Sequence, residues 1–408
     1  MRWLTVPSPV HSNRKDGSDS APGRAGDPDA VLCALLRHEP YAWDEAGGDA
    51  AASLFLRAAS MHGLVPLLDA EFRDRGDLAG WPREIPLACF KAALVHAAHE
   101  SAQRAEAGRV IEALAAGGVQ PLVLKGSALA CSHYADPSLR PRSDTDLFIP
   151  QAGRPRADGI LESLGYAKGQ AVAGEFIAYQ ALWSRTDGSG VVHRFDVHWR
   201  INNSQALARL FGYEELAARS VPLPGLGKSA RTLDPVDALL VACIHRAAHA
   251  SEYIREEGIV RRGSDRLIWL YDIHLLAGRM AEPQFDQFAR RAAEKGIRAI
   301  CLDALQRSRE CFGTAIPPQV LEALRSPGTP EPTARLLAAG PGLRLVNDFL
   351  ALDRWSDRLR WLGELAFPDA GYMRGKYADS PATPLPVLYL RRALSGLKRL
   401  FIGRRDGI

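Results

Sequence analysis

Asp144 and Asp146 are separated by one residue in the segment Asp-Thr-Asp-Leu-Phe-Ile that ends at Ile149. Its apolar half predicts a buried strand, and alternate residues of a strand leave the same face, about 7 Å apart at the backbone. Two such carboxylates repel each other unless a cation lies between them, and hard oxygen ligands suit Mg²⁺. A pair of these ions stabilises the attacking and leaving oxygens of a phosphoryl transfer. An exposed pair of aspartates at a strand end or turn has the same spacing, so the pair alone does not establish a metal site.

Two short segments before this pair favour phosphate chemistry. The run Leu-Lys-Gly-Ser, which contains Lys125, Gly126 and Ser127, lies between a predicted strand and a helix of small residues. A glycine there lets backbone N–H groups and the helix N-terminus approach a phosphate, and the serine adds a hydroxyl donor. Arg140 and Arg142 come just before the acids, where a guanidinium binds phosphate oxygens in bidentate fashion.

A third carboxylate, Asp196, lies at the centre of a predicted strand over residues 191–199, on the same face as Arg194 and His198. An aspartate at a strand centre is unfavourable unless it has a partner. His198 either takes part in proton transfer beside this carboxylate or has a buried structural role, and the sequence leaves both open.

Together these segments resemble the polymerase-beta-type nucleotidyltransferase superfamily. That pattern is a turn with glycine and serine, an Asp-x-Asp strand and a third acid on a later strand. The chain is more closely similar to a bacterial family called uncharacterised nucleotidyltransferases, over roughly residues 30–380. The segments that carry this closer resemblance are 140–146, 195–199, 243–249, 266–272 and 368–377.

The resemblance implies a site for an NTP and two Mg²⁺ ions. Asp144, Asp146 and Asp196 would be the metal ligands, and Asp196 would also help to deprotonate the attacking hydroxyl. Gly126 and Ser127 would seat the triphosphate, while Lys125 and Arg140 would offset its charge.

Other polar residues have weaker patterns. His245 and His249 are four residues apart on a predicted helix. We favour a role for both histidines in packing between helices over a position lining the active cleft. Asp265, Arg266 and Asp272 are interpreted as an ion-paired helix face beside the cleft. The six cysteines are scattered, which argues against disulfides and against a thiolate zinc site.

Composition narrows the class of protein. The 408 residues carry 51 basic and 47 acidic side chains and are 47% hydrophobic, as in ordinary globular proteins. The mild positive charge and the lack of a basic groove interleaved with aromatic residues argue against long nucleic acid as a partner. We find no signal-peptide pattern and no run of about 20 apolar residues, so a cytoplasmic location is expected.

The order of elements predicts an α+β fold, with a small mixed β-sheet embedded in N- and C-terminal helical segments. Strands are expected at 119–125, 144–149, 175–184 and 191–199, with a turn at 188–190 and helix from 235 to about 312. The predicted regions are a disordered tail (1–29), an N-terminal helical region (30–117), a nucleotidyltransferase core (118–222), a helical region packing on the core (223–315), a C-terminal helical region (316–380) and a basic amphipathic tail (381–408).

The segment 387–405 places Leu390, Leu394, Leu397 and Phe401 on one stripe of a helix among six basic residues. This pattern fits a helix at an anionic membrane surface or one that docks on a protein partner. A terminal helix that caps its own domain fits equally well.

The sequence therefore predicts Mg²⁺-dependent transfer of a nucleotidyl group from an NTP to an acceptor hydroxyl, with release of pyrophosphate. A small metabolite, a glycan precursor, a peptide natural product and a protein all remain open as acceptors. The alternative is a non-catalytic nucleotide-binding scaffold that docks through its basic C-terminal helix.

Overall fold

A computed structural model of the chain describes residues 27–41, 43, 48–76, 80–169, 174–249, 253–256, 259–262, 265–326, 331–338, 341–378 and 382–402. Most of the predicted disordered tail, residues 1–26, lies outside this range. The first helix already begins at Pro28, where the Asp27 side chain accepts a hydrogen bond from the backbone N–H of Asp29.

The central sheet is mixed and has seven strands in the order β3-β4-β5-β2-β1-β7-β6, which confirms the α+β fold class. Parallel pairing joins β2 to β5 and β1 to β7, and the other neighbours are antiparallel. Its strands are β1 (Leu122–Leu124), β2 (Thr145–Phe148), β3 (Ala167–Lys168), β4 (Gln180–Thr186), β5 (Val192–His198), β6 (Val221–Pro222) and β7 (Arg231–Thr232).

Helices surround this sheet. Four precede it: α1 (Pro28–Leu36), α2 (Gly48–His62), α3 (Val65–Arg75) and α4 (Glu84–Ala116). Four are interposed between its strands: α5 (Lys125–Ser132), α6 (Arg154–Ser163), α7 (Gln205–Ala208) and α8 (Tyr213–Ala217). The remainder are α9 (Pro235–His249), α10 (Leu267–Gly278), α11 (Glu282–Glu294), α12 (Arg298–Phe312), α13 (Pro318–Arg325), α14 (Arg335–Ala338), α15 (Pro341–Leu350), α16 (Trp355–Ala366), α17 (Ala370–Lys376) and α18 (Leu385–Ile402).

The central strands β1 and β2 are buried on both faces, and their residues alternate between two cores. Leu122, Leu124 and Phe148 pack in the larger core with the N-terminal helices and with α9 to α13. Val123 and Leu147 pack in a second core with α4 and α6. Because Asp146 has the same strand parity as Phe148, its side chain leaves the sheet toward the larger core and α9.

Two sequence expectations differ from the structure. The strand expected at 175–184 is β4, and it begins at Gln180. The backbone N–H groups of Glu175 and Phe176 donate instead to the Glu364 carboxylate of α16 (3.0 and 2.9 Å). The expected continuous helix from 235 is wrong: Tyr253–Glu256 (β8) and Ile259–Arg262 (β9) form an antiparallel pair between α9 and α10. Both segments are short and rich in β-branched or aromatic residues, as strands are.

Over residues 385–395, the part of the C-terminal helix α18 whose side chains the structure describes, the apolar residues divide into buried and exposed ones; the predicted stripe residues Leu397 and Phe401 lie outside that part. Leu388 is buried, whereas Val387, Leu390 and Leu394 are 50, 60 and 58% exposed. The predicted membrane or protein partner of this segment stays a prediction. Within the described ranges, no single helix is long and apolar enough to cross a membrane; α2 and α3 reach that length together but are bent by 119°.

Glu106 holds α4 to the far edge of the sheet. Its carboxylate accepts hydrogen bonds from Arg109 (2.6 Å), from Arg185 of β4 (2.7 Å) and from the Tyr166 hydroxyl. Although burial opposes its ionisation, these three donors lower the pKa of Glu106 to about 2.

Replacing Glu106 with Gln is expected to lower the Tm by a few degrees at neutral pH, because the charge-assisted hydrogen bonds are lost. The pKa in the folded state lies below the ordinary value, so ionised Glu106 stabilises the fold above about pH 4.5, and this contribution disappears as the pH falls toward 2. Thermal unfolding between about pH 7 and pH 3 should therefore show the two proteins converging. Glu282→Gln, at an exposed position of α11, is the control. A constant Tm difference across this range would contradict the assignment.

Candidate active site

A single cavity of about 850 Å³ brings the predicted site residues together. It lies between the sheet, α9, α10 and the segment from α14 to α15. Its lining includes all of the predicted residues, namely Lys125, Gly126, Ser127, Arg140, Arg142, Asp144, Asp146, Asp196, His198 and His245.

The carboxylates meet because β2 and β5 run parallel in register. Asp146 is the partner of Asp196 in that ladder, so both side chains leave the same face of the sheet. Donor atoms of Asp146, Asp196 and His198 lie within 4.8 Å of one another, the arrangement needed to hold a metal ion. Asp144 precedes the strand and lies outside this group of three, but the Asp146 charge is close enough to add to burial in raising its pKa.

Lys125 supplies a positive charge to the acids. Its Nζ lies 2.7 Å from Asp146 Oδ1, and His198 Nε2 lies 2.8 Å from the same oxygen. Although burial opposes ionisation, the Lys125 ammonium and the His198 hydrogen bond hold the pKa of Asp146 below its usual range. Lys125, at the junction of β1 and α5, has a backbone φ of +52°, a left-handed conformation that residues other than glycine rarely adopt.

Asp196 has a different environment although it lies beside Asp146. Burial, together with the charges of Asp146 and Asp144, raises its pKa to about 6. The only side-chain hydrogen bond that it accepts from a described residue comes from Gln180 Nε2, at 3.1 Å. Of the three acids, it therefore has the carboxylate best suited to take a proton near neutral pH.

The remaining predicted nucleotide contacts already have protein partners. Ser127 donates a long hydrogen bond (3.3 Å) to the backbone carbonyl of Asp144. Arg140 donates from Nε and Nη2 to both oxygens of Asp272 on α10 (2.8 and 2.7 Å). Arg142 is paired with Glu100 of α4. The role of these three residues in nucleotide binding therefore stays a prediction.

Gly126 packs on this ion pair, since a Cβ at Gly126 would lie 3.4 Å from the Arg140 guanidinium. Asp272 of α10 is ion-paired, and Tyr134 donates to the same carboxylate (2.7 Å). The expected face of three residues on one helix is wrong, because α10 begins at Leu267; Asp265 lies before it and pairs with Arg246 of α9 (2.5 Å).

Several lining residues were missed by sequence reasoning: Gln180, Asn203, Arg344 and Asp348. They are single polar residues in segments with no motif, so no local pattern marks them. His245 is among the predicted residues, and burial followed by the Lys125 charge places its pKa well below the ordinary value. His249, Arg266 and Trp269 line the cavity beside it.

The donor set fits a divalent cation. Carboxylate oxygens suit Mg²⁺ or Mn²⁺, and a neighbouring imidazole either ligates the ion or orients a ligating carboxylate. Such an ion would compete with the Lys125 ammonium for Asp146 Oδ1.

Comparison of the sequence with known protein families gives the class of protein. The chain belongs to the family described as uncharacterised nucleotidyltransferase, whose model matches residues 49–313. This membership supports nucleotidyl transfer, a transferase reaction, as the general activity. No curated protein matches the sequence.

Replacing Asp272 with Asn is expected to lower the free energy of unfolding by about 3–5 kcal/mol, because Arg140 would become a buried charge without its carboxylate. The double variant Arg140→Met/Asp272→Leu should lose much less, since both charges leave together. Urea unfolding of the three proteins measures this difference. Equal losses for the single and double variants would show that the ion pair does not position α10.

Proposed function

We propose that this protein transfers a nucleotidyl group from an NTP to a hydroxyl of an acceptor, in a Mg²⁺-dependent reaction that releases pyrophosphate. The observation that carries this proposal is the in-register pair of Asp146 and Asp196, with Asp144 beside it, in the same cavity as Lys125. The family match supports the same chemistry. We infer further that the core is of the polymerase-beta type, because its Asp-x-Asp strand is followed by a third acid on the adjacent strand.

In this reaction the acceptor oxygen forms a bond to the α-phosphorus as the bond from that phosphorus to the β-bridging oxygen breaks. Bound Mg²⁺, held by Asp144, Asp146 and Asp196, would offset the negative charge of the phosphate oxygens. Asp196 accepts the proton of the attacking hydroxyl, since among the described side chains only Gln180 donates to its carboxylate and oxygen lone pairs remain available. Lys125 provides a further positive charge, and Gly126 and Ser127 lie at the first turn of α5, where backbone N–H groups bind phosphate.

The order of the strands supports a placement of the two substrates on opposite sides of the acids. The turn that follows β1 lies on one side of β2, while Asp196 on β5 lies on the other, next to β4 and Gln180. In-line displacement needs the acceptor opposite the leaving pyrophosphate. We therefore place the triphosphate at the turn and the acceptor on the side of Gln180 and Asn203.

The double variant Asp144→Ala/Asp146→Ala is expected to lose Mg²⁺-dependent binding of NTPs, because the metal ligands are removed. Calorimetry of ATP, GTP, CTP and UTP with and without Mg²⁺ tests this. Asp353→Ala, an exposed position just before α16, is the matched control. Metal-independent binding that survives the double variant would place the nucleotide elsewhere. Wild-type protein that binds none of the four would count against the proposed function.

Labelled NTP separates this reaction from phosphotransfer. With a low-molecular-weight cell extract as the source of acceptors, label should enter product from [α-³²P]NTP and not from [γ-³²P]NTP. Asp196→Asn should reduce this transfer by about 10²–10⁴-fold, the range for loss of a general base, and should leave phosphate binding by Lys125 in place. Product labelled from the γ-phosphate would overturn the proposal.

A further inference from the structure

Three aromatic rings form one wall of the cavity, opposite the sheet. His245 and His249 lie four residues apart on α9, so both rings are on one face of that helix, with centroids 4.5 Å apart. Trp269, in the first turn of α10, lies 5.2 and 5.6 Å from the two histidine rings. All three rings line the cavity, and Trp269 is only partly buried.

Arg266 gives this wall hydrogen-bond donors that the protein itself does not use. Its guanidinium lies 5.6 Å from the centre of the Trp269 ring, and its Nε donates to the Met61 carbonyl (3.0 Å). Among the residues that the structure describes, neither terminal amino group of Arg266 has a hydrogen-bond partner. Burial, and then the charge of Arg140, lower the pKa of Arg266, and its terminal amino groups are available to a hydrogen-bond acceptor on a ligand.

The wall lies on the nucleotide side of the acids. Lys125, His245 and Trp269 also line a second, small pocket of about 30 Å³ beside the main cavity. Lys125 lies close enough to His245 for its charge to affect that imidazole. His245 and Trp269 therefore adjoin the phosphate turn, whereas His249 lies close enough to His198 for its charge to affect that imidazole.

We infer that Trp269, with His249 and Arg266, is the subsite for the base of the bound NTP, with a purine bound more tightly than a pyrimidine. This inference rests on the proposed function. A base has a flat π-face for Trp269 or His249 and acceptor atoms on its edge for Arg266. A purine presents the larger stacking surface.

Base stacking on an aromatic side chain changes affinity by about 5- to 150-fold when the ring is removed. Trp269→Leu, which keeps apolar volume without the ring, is therefore expected to weaken binding of Mg²⁺-ATP by a factor in that range. Trp269→Phe should keep most of the affinity. Inorganic tripolyphosphate with Mg²⁺ should bind all of these proteins equally, because it has no base.

The experiment is calorimetry of Mg²⁺-ATP, Mg²⁺-UTP and Mg²⁺-tripolyphosphate against wild type, Trp269→Leu and Trp269→Phe. Trp355→Leu, 66% exposed on α16 and outside the cavity, is the matched control. Near-UV circular dichroism verifies the fold, and if Trp269→Leu does not fold, His249→Ala takes its place with the same expected loss.

The supporting result is loss of affinity for ATP, and a smaller loss for UTP, with unchanged binding of tripolyphosphate. Equal affinity of the wild type for ATP and tripolyphosphate overturns the base subsite and leaves the proposed function standing. Unchanged ATP binding by Trp269→Leu does the same. Failure of the wild type to bind any of the three ligands would instead count against the proposed function.

Discussion

A buried charge is tolerated only beside its partner, and in this fold that requirement joins the sheet to the helices that cover it. Arg140, shortly before β2, and Asp272, on α10, are 132 residues apart in the chain and are both nearly inaccessible to solvent. Neither side chain could remain buried alone, so the segment that leads into the acids and the helix that carries Trp269 are fixed relative to each other. Gly126 packs on the same guanidinium, which also ties the turn after β1 to this pair.

The carboxylates of Asp146 and Asp196, in contrast, are like charges that the fold brings close together. Parallel pairing of β2 with β5 places Asp146 beside Asp196, and the repulsion is distributed unequally. Asp146 receives both Lys125 and His198, whereas Asp196 receives only the neutral amide of Gln180 among the residues described. Two chemically identical side chains in adjacent positions thereby acquire different proton affinities, which allows one to remain ionised while the other exchanges a proton. The left-handed backbone conformation of Lys125 belongs to this arrangement, since the same residue carries the ammonium group that contacts Asp146.

Local periodicity was sufficient for the strands that carry the acids and for the face on which they lie. The apolar run after Asp146 and the alternation of apolar residues around Asp196 indicate buried strands with their carboxylates on one side. Local periodicity could not reveal the ion-pair partners of Arg140 and Arg142, because their contacts with Asp272 and Glu100 join distant segments of the chain. It was also wrong for the β8–β9 pair, which lies within an otherwise helical region, and for the start of β4, where backbone groups bind Glu364 of a remote helix. At the start of β4 a tertiary contact prevailed over a local tendency, whereas the β8–β9 hairpin agrees with the local composition of its two segments.

The cavity is assembled from two parts of the chain that differ in their relation to the family. The carboxylates and the aromatic wall lie inside the matched residues 49–313, whereas Leu336, Arg344 and Asp348 close the cavity from beyond residue 313. Asp348 contacts the core through Ser204 (2.6 Å) and Arg344 through the carbonyl of Ala248 (3.1 Å), and Leu336 is buried in the larger core. A different C-terminal segment that kept these three anchors would therefore reshape the cavity while the carboxylates stayed in place. Chimeras between relatives that differ in this segment offer a modular route to altered selectivity.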